Sequence, residues 1–266
     1  MALHITSARA PQLHVASDRG AGPIVVLIHG VASSSVTFQN VLPLIESTHR
    51  CITIDLLGFG ESPIPEGAEY TLAEHVAAIS RTIDSLKLRA SFTLVGHSMG
   101  ALIAARYAAR IPRNINKVVL VSPPIYLSPN ELSGTADRRV MDIHLKAYQY
   151  FRANKEFTIR HAQFVERLLP IPKAMDINAR TWEPFVKSLE HAIESQTTVS
   201  DLAAVRSPIE MVVGSLDEFQ SEGVMKIVSR MSGVTVHRVI GSDHLIGKRL
   251  ARVVATAIDS APPLAG

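Results

Sequence analysis

Apolar positions along the chain follow two alternating rhythms. Short, largely apolar runs occur at Ile24-Val25-Val26-Leu27-Ile28, Cys51-Ile52-Thr53-Ile54, Phe92-Thr93-Leu94-Val95 and Lys117 to Val121, and again at Ile209 to Gly214, after which the more mixed Val234 to Ile240 reads as the next strand. Runs of this length, rich in Val and Ile and bounded by turn residues, predict strands buried on both faces of a parallel sheet. Gln12 to Ala16 and Ile24 to Ile28 are expected to form an early strand pair. Between the runs the spacing changes to three and four. Leu72, Val76, Ile79, Ile83 and Leu86 predict an amphipathic helix over 72–88, with further helices over 38–46, 101–108 and 245–258.

From Ser122-Pro123-Pro124 to about Val205 the strand rhythm stops, and Pro208 opens the next strand. Three helical stripes fill the interval: Val140, His144, Ala147 and Phe151; then Phe157, His161, Phe164, Val165 and Leu168; then Trp182, Phe185, Leu189 and Ile193. The expected fold class is α/β, a mostly parallel central sheet flanked by helices with an inserted helical cap. The division is a first core part at 1–123, the cap at 124–205 and a second core part at 206–266. An insertion leaving the sheet there lies over its carboxyl edge, so Phe151, Phe164 and Trp182 are candidates to line a substrate pocket.

The 266 residues are 47% hydrophobic, enough for one large core. Net charge is +3, from 27 basic and 24 acidic residues, and no Lys/Arg block appears. Nucleic acid is therefore not an expected partner, because displacing counterions from phosphates needs a clustered basic stripe. Cys51 has no second cysteine to bond and is expected to be a small buried residue. The start of the chain lacks a basic segment followed by a long apolar one, and no run approaches the roughly 20 apolar residues that span a bilayer. A cytoplasmic protein acting on a small molecule, with no membrane partner, is the expectation; oligomeric state is left open.

The chemistry concentrates where strands end. Gly96-His97-Ser98-Met99-Gly100 follows one apolar run and precedes the helical Ala101 to Ala108. Strand, sharp turn and helix with serine at the apex make a nucleophile elbow, in which a strained backbone pushes the hydroxyl outward. This architecture demands an acid and then a histidine later in the chain. Asp217 lies in the loop after Ile209 to Gly214, and His244 in the loop after Val234 to Ile240. Glu218 and Asp243 are the competing acids, and Asp243 adjoins the histidine where a neighbour usually points the wrong way. The loop His29-Gly30-Val31-Ala32 after the second strand is able to turn the Val31 amide toward the elbow, where with the Met99 amide it would hold an oxyanion. His29 is expected to brace that loop. Gly58-Phe59-Gly60-Glu61-Ser62-Pro63 is expected to be a turn rather than a phosphate cradle, since Pro63 stands where a glycine is needed. The histidines have no zinc-ligand spacing, and no cofactor or metal is expected.

With these residues in place the chain resembles the α/β-hydrolase fold superfamily over nearly its whole length. The resemblance rests on four ordered landmarks: HGVASSS at 29–35, DLLGFGES at 55–62, GHSMG at 96–100, and the late GSLD and GSDH segments. It implies Ser98 as nucleophile, Asp217 and His244 as its partners, and Val31 and Met99 as oxyanion donors. The expected activity is that of a carboxylesterase-like serine hydrolase that cleaves a small to medium, largely apolar ester through an acyl-enzyme. Members with a carboxylate nucleophile, the epoxide hydrolases and haloalkane dehalogenases, are disfavoured by Ser98. Carbon–carbon hydrolases, cofactor-free perhydrolases or haloperoxidases, and receptor-like ligand binders of the same fold remain alternatives.

Overall fold

The computed structural model describes residues 10–126, 143, 146–166 and 175–260. Seven strands form one sheet in the order β1-β3-β2-β4-β5-β6-β7. They are β1 Val15–Arg19, β2 Ile24–Ile28, β3 Arg50–Ile54, β4 Phe92–His97, β5 Ile115–Val121, β6 Ile209–Gly214 and β7 Val234–Val239. Every pairing is parallel except β1 with β3. β2, β4 and β6 are buried at every position, whereas β1 and β7, at the edges, are mixed. That difference is what two covered faces impose on central strands.

The early strand pair does not form as expected. β1 begins at Val15 rather than Gln12 and joins β3, which lies between it and β2. Consecutive strands need not be neighbours, and β2 is the strand that continues the parallel sheet on both its sides.

Helices cover both faces. They are α1 Leu42–Ile45, α2 Leu72–Ser85, α3 Met99–Arg110, α4 Lys155–Glu166, α5 Trp182–Ser188, α6 Thr198–Ala204, α7 Glu222–Val228 and α8 Lys248–Asp259. α2 starts where its sequence says it should: the Thr71 side chain accepts from the Glu74 amide at 3.1 Å while Glu74 accepts from the Thr71 amide at 3.0 Å. This reciprocal cap satisfies two amides that the first turn leaves without partners. The expected helix over 38–46 is instead a 3-10 turn Ser35–Phe38 followed by the single turn of α1. Two hydrophobic clusters result, one on each side of the sheet.

Between β5 and β6 the described residues are helical at 146–153, in α4, α5 and α6, and in a π-helical turn Leu189–Glu194. Val140, His144 and Leu168 of the expected stripes lie outside the described residues, as does the side chain of Val165. Several polar links bind the 176–191 stretch to the sheet's loops. The Asp176 amide donates to the Ala32 carbonyl at 2.6 Å, Arg180 to the Gly60 carbonyl at 2.8 Å, and Lys187 to the Ala68 carbonyl at 2.9 Å. No helix among the described residues is long and apolar enough to cross a membrane.

Candidate active site

Ser98 sits between the last residue of β4 and the first of α3, with φ 53° and ψ −124°. A positive φ is costly for any residue with a Cβ, and it survives here because the surrounding contacts leave no alternative. The two flanking glycines supply the space. A Cβ on Gly96 would strike the Gly100 carbonyl, and one on Gly100 would strike the carbonyls of Ile28 and His29. The elbow is thus held against the end of β2, whose following loop carries Gly30. A Cβ at Gly30 would lie 2.8 Å from the Ser98 Cβ, so the loop is able to approach the serine only as glycine.

Three loops at the carboxyl edge of the sheet meet at this point. His244 Nε2 is 2.9 Å from Ser98 Oγ, and its Nδ1 is 3.0 Å from Asp217 Oδ1 and 3.2 Å from Oδ2. A carboxylate only accepts, so Nδ1 carries the hydrogen and Nε2 presents its lone pair to the serine hydroxyl. Asp217 is buried and receives two further contacts, from the Phe219 amide at 3.1 Å and Gln220 Nε2 at 3.4 Å. Burial pushes its carboxyl up, but the hydrogen bonds from His244 and the Phe219 amide outweigh it and hold the group below the usual carboxylate range. The competing acids stand elsewhere: Glu218 is exposed, and exposed Asp243 accepts from the Leu245 amide at 3.1 Å.

His29 holds the loop after β2. The Leu56 amide donates to its Nε2 at 2.8 Å, which leaves Nδ1 to donate to the Gly30 carbonyl at 2.7 Å. Burial lowers its proton affinity in spite of nearby Asp55, consistent with this neutral bracing role. Asp55 ties the same loop to the 55–62 turn. It accepts from the Ser35 amide at 2.9 Å, Ser35 Oγ at 2.6 Å and the Glu61 amide at 3.1 Å. Val31 lines the cavity beside Ser98, and Met99, as the first residue of α3, has an amide outside the helix's own ladder.

The Ser98 hydroxyl opens into a cavity of about 320 Å³, and no Lys, Arg, Asp or Glu side chain is among its described lining. Phe151 lines it, as do Phe185, Leu189 and Ile193 of the third stripe, together with Tyr148 and Phe219. Phe164 and Trp182 are not part of that wall. Phe164 is 61% exposed, and Trp182 packs against Phe185 at 5.9 Å with Lys155 Nζ 5.8 Å above its ring. Helical periodicity identifies the face shared by Phe185, Leu189 and Ile193 but does not say that Trp182, one turn earlier, has rotated off it. Tyr148 and Phe219 had no periodic signal of their own. Among the described residues no group of three His, Cys, Asp or Glu side chains is placed to hold a metal ion.

A model of the alpha/beta hydrolase fold family matches residues 23–169, more than half of the chain. The chain belongs to that family. Among relatives of this α/β hydrolase, a probable lysophospholipase of Arabidopsis thaliana, BODYGUARD 1, is 38% identical over 124 residues, which are 45% of this chain and 26% of that protein. The pimeloyl-[acyl-carrier protein] methyl ester esterase of Aeromonas hydrophila is 33% identical over 123 residues, 45% of each chain. The matched part therefore spans less than half the length of these relatives. Among solved structures, an esterase from Exiguobacterium antarcticum superposes with a TM-score of 0.75 at 18% identity, covering 94% of this chain and 100% of that one. A haloalkane dehalogenase variant from Bradyrhizobium elkanii gives 0.68 at 22% identity, covering 93% and 96%. At such identities the likeness of this α/β hydrolase to the solved structures concerns the fold alone.

Proposed function

We propose that the protein is a serine hydrolase that cleaves carboxylic esters of small to medium, largely apolar substrates through an acyl-enzyme. The observation that carries this reading is the hydrogen-bonded chain Ser98–His244–Asp217 opening into a cavity whose described lining holds no Lys, Arg, Asp or Glu side chain. His244 Nε2 takes the hydroxyl proton as Ser98 Oγ bonds to the ester carbonyl carbon. Asp217 holds the ring in the required tautomer and stabilises its cation. The amides of Val31 and Met99 donate to the carbonyl oxygen as it becomes negative, a contribution of about 3 kcal/mol per donor. Collapse of the tetrahedral species expels the alcohol, which receives the proton from His244. Water then attacks the acyl-serine by the same route and releases the acid. The helices between β5 and β6 serve as the cap, with Phe151 and Phe185 bounding the acyl chain.

The names of two relatives, a probable lysophospholipase and a methyl ester esterase, support ester hydrolysis. A series of 4-nitrophenyl esters from acetyl to decanoyl tests the reading. The protein should hydrolyse them with a kcat/KM that peaks within the series, and Ser98→Ala should abolish turnover. Hydrolysis no faster than in the Ser98→Ala variant across all chain lengths would overturn it.

A further inference from the structure

His97, the residue before Ser98, is buried at the carboxyl end of β4, where it pairs in register with Val121 of β5. Its ring lies 5.2 Å from the ring of His244, and its Nε2 is 2.9 Å from the His244 main-chain oxygen. A carbonyl only accepts, so Nε2 carries the hydrogen and donates, which leaves Nδ1 with a lone pair. That Nδ1 is buried without a hydrogen-bond partner. Burial, with adjacent His244, pushes the ring down to about 3. His97 is therefore neutral wherever esters are hydrolysed at ordinary pH, and neither competes for the serine proton nor sets a positive charge beside the His244 cation.

A buried acceptor without a partner destabilises a fold, and a hydrocarbon side chain of similar size would avoid that cost. What imidazole supplies here is the donor at Nε2. The loop bearing His244 is irregular and is anchored through its carbonyls. Ser242 accepts from the Leu216 amide at 2.9 Å and Ile246 from Asn40 Nδ2 at 3.0 Å. Between these two anchors, the peptide of His244 itself is fastened by His97. The donor belongs to the strand end that also carries Ser98, so one rigid element sets the positions of both reacting side chains.

We propose that His97 is a positioning residue that fixes His244 relative to Ser98 through its Nε2–H donation to the His244 carbonyl. This rests on the serine hydrolase reading above. His97 also borders the cavity beside Ser98, but its donation to the His244 carbonyl acts on the chemical step, so loss of that donation should appear in kcat rather than KM and be recovered by a side chain that restores the donor.

The test compares the parent, Ser98→Ala, His97→Leu and His97→Gln, the glutamine amide reaching about as far as Nε2. Steady-state hydrolysis of one 4-nitrophenyl ester is measured together with the rate at which a fluorophosphonate labels Ser98. His97→Leu should unfold cooperatively yet lose about 10- to 100-fold in kcat, with KM changed by less than about twofold. Labelling should slow in parallel, and His97→Gln should recover most of both losses. A folded His97→Leu with the parental kcat and labelling rate overturns the proposal, as does a glutamine variant no better than leucine. If His97→Leu does not fold, His97→Asn replaces it: its shorter amide should fail where glutamine succeeds, and equal kcat in the two overturns the proposal. Failure of the parent itself to label at Ser98 or to hydrolyse the ester overturns the hydrolase reading instead, and this inference with it.

Discussion

At the scale of single residues, the site depends on which carboxylate holds the imidazole. Asp217 is buried within 3.0 Å of His244 Nδ1, whereas Asp243 is exposed and occupied with the Leu245 amide. Asp217→Asn should keep its fold and lose up to about 10⁴-fold in kcat, because an amide no longer enforces the tautomer with hydrogen on Nδ1. Asp243→Asn should change kcat/KM little. The reverse ranking, measured on one ester, would move the acid role to Asp243. The positions of Ser98, Asp217 and His244 were legible in the sequence because each lies in the loop or turn just after a strand, and such strand ends gather at one edge of a parallel sheet. His97 was not. Its partner lies 147 positions further along the chain, and no local pattern of residues marks a side chain aimed at a distant carbonyl.

At the scale of elements, the loop after β2 and the 55–62 turn are joined by the Asp55 carboxylate. Burial pushes that carboxyl up, but the hydrogen bonds from Ser35, Glu61 and His14 prevail and hold it below its ordinary value. A depressed carboxyl stabilises the fold above its unfolded pKa of about 3.9, and that contribution disappears as pH falls through the lower folded value. Asp55→Asn should therefore have a lower Tm than the parent at pH about 7, and should lose less further Tm between pH about 5 and about 3. Parallel Tm–pH curves for the two proteins would show that Asp55 is not a source of the acid sensitivity. The DLLGFGES landmark located this turn, but only the structure shows it folded around Asp55. The expected helix over 38–46 is broken for a local reason: its first part tightens into a 3-10 turn capped by Ser34, and Pro43 then begins the separate turn of α1.

The helices over the sheet give a sharper separation of packing from specificity. Phe185 lines the cavity and Trp182 does not. Phe185→Ala should move the preferred ester toward longer chains, since a methylene in an apolar pocket is worth about 1–3 kcal/mol in discrimination. Trp182→Ala should scale kcat/KM by one common factor across the series, provided circular dichroism shows the fold intact. A shift of chain-length preference in Trp182→Ala, with none in Phe185→Ala, would reverse their assignments.

At the scale of the whole molecule, six parallel strands carry their loops to one edge, and the antiparallel β1 only extends the far side of the sheet. The central strands and the loops after them were legible because strands buried on both faces need largely apolar runs, and that requirement is written locally. The placing of β1 beside β3, and the direction in which each helix over the cavity faces, depend on partners distant in sequence and become visible only in the folded chain. The proposed hydrolase requires that this arrangement make the hydroxyl of Ser98, among all the hydroxyls of the chain, the one that forms a covalent bond to substrate. The most direct measurement is intact-protein mass spectrometry after reaction with a fluorophosphonate, followed by peptide mapping, on the parent and on Ser98→Ala. One adduct is expected on the parent, mapped to Ser98, and none on a folded Ser98→Ala. An adduct mapped to another residue, or equal labelling of the two proteins, would contradict that requirement.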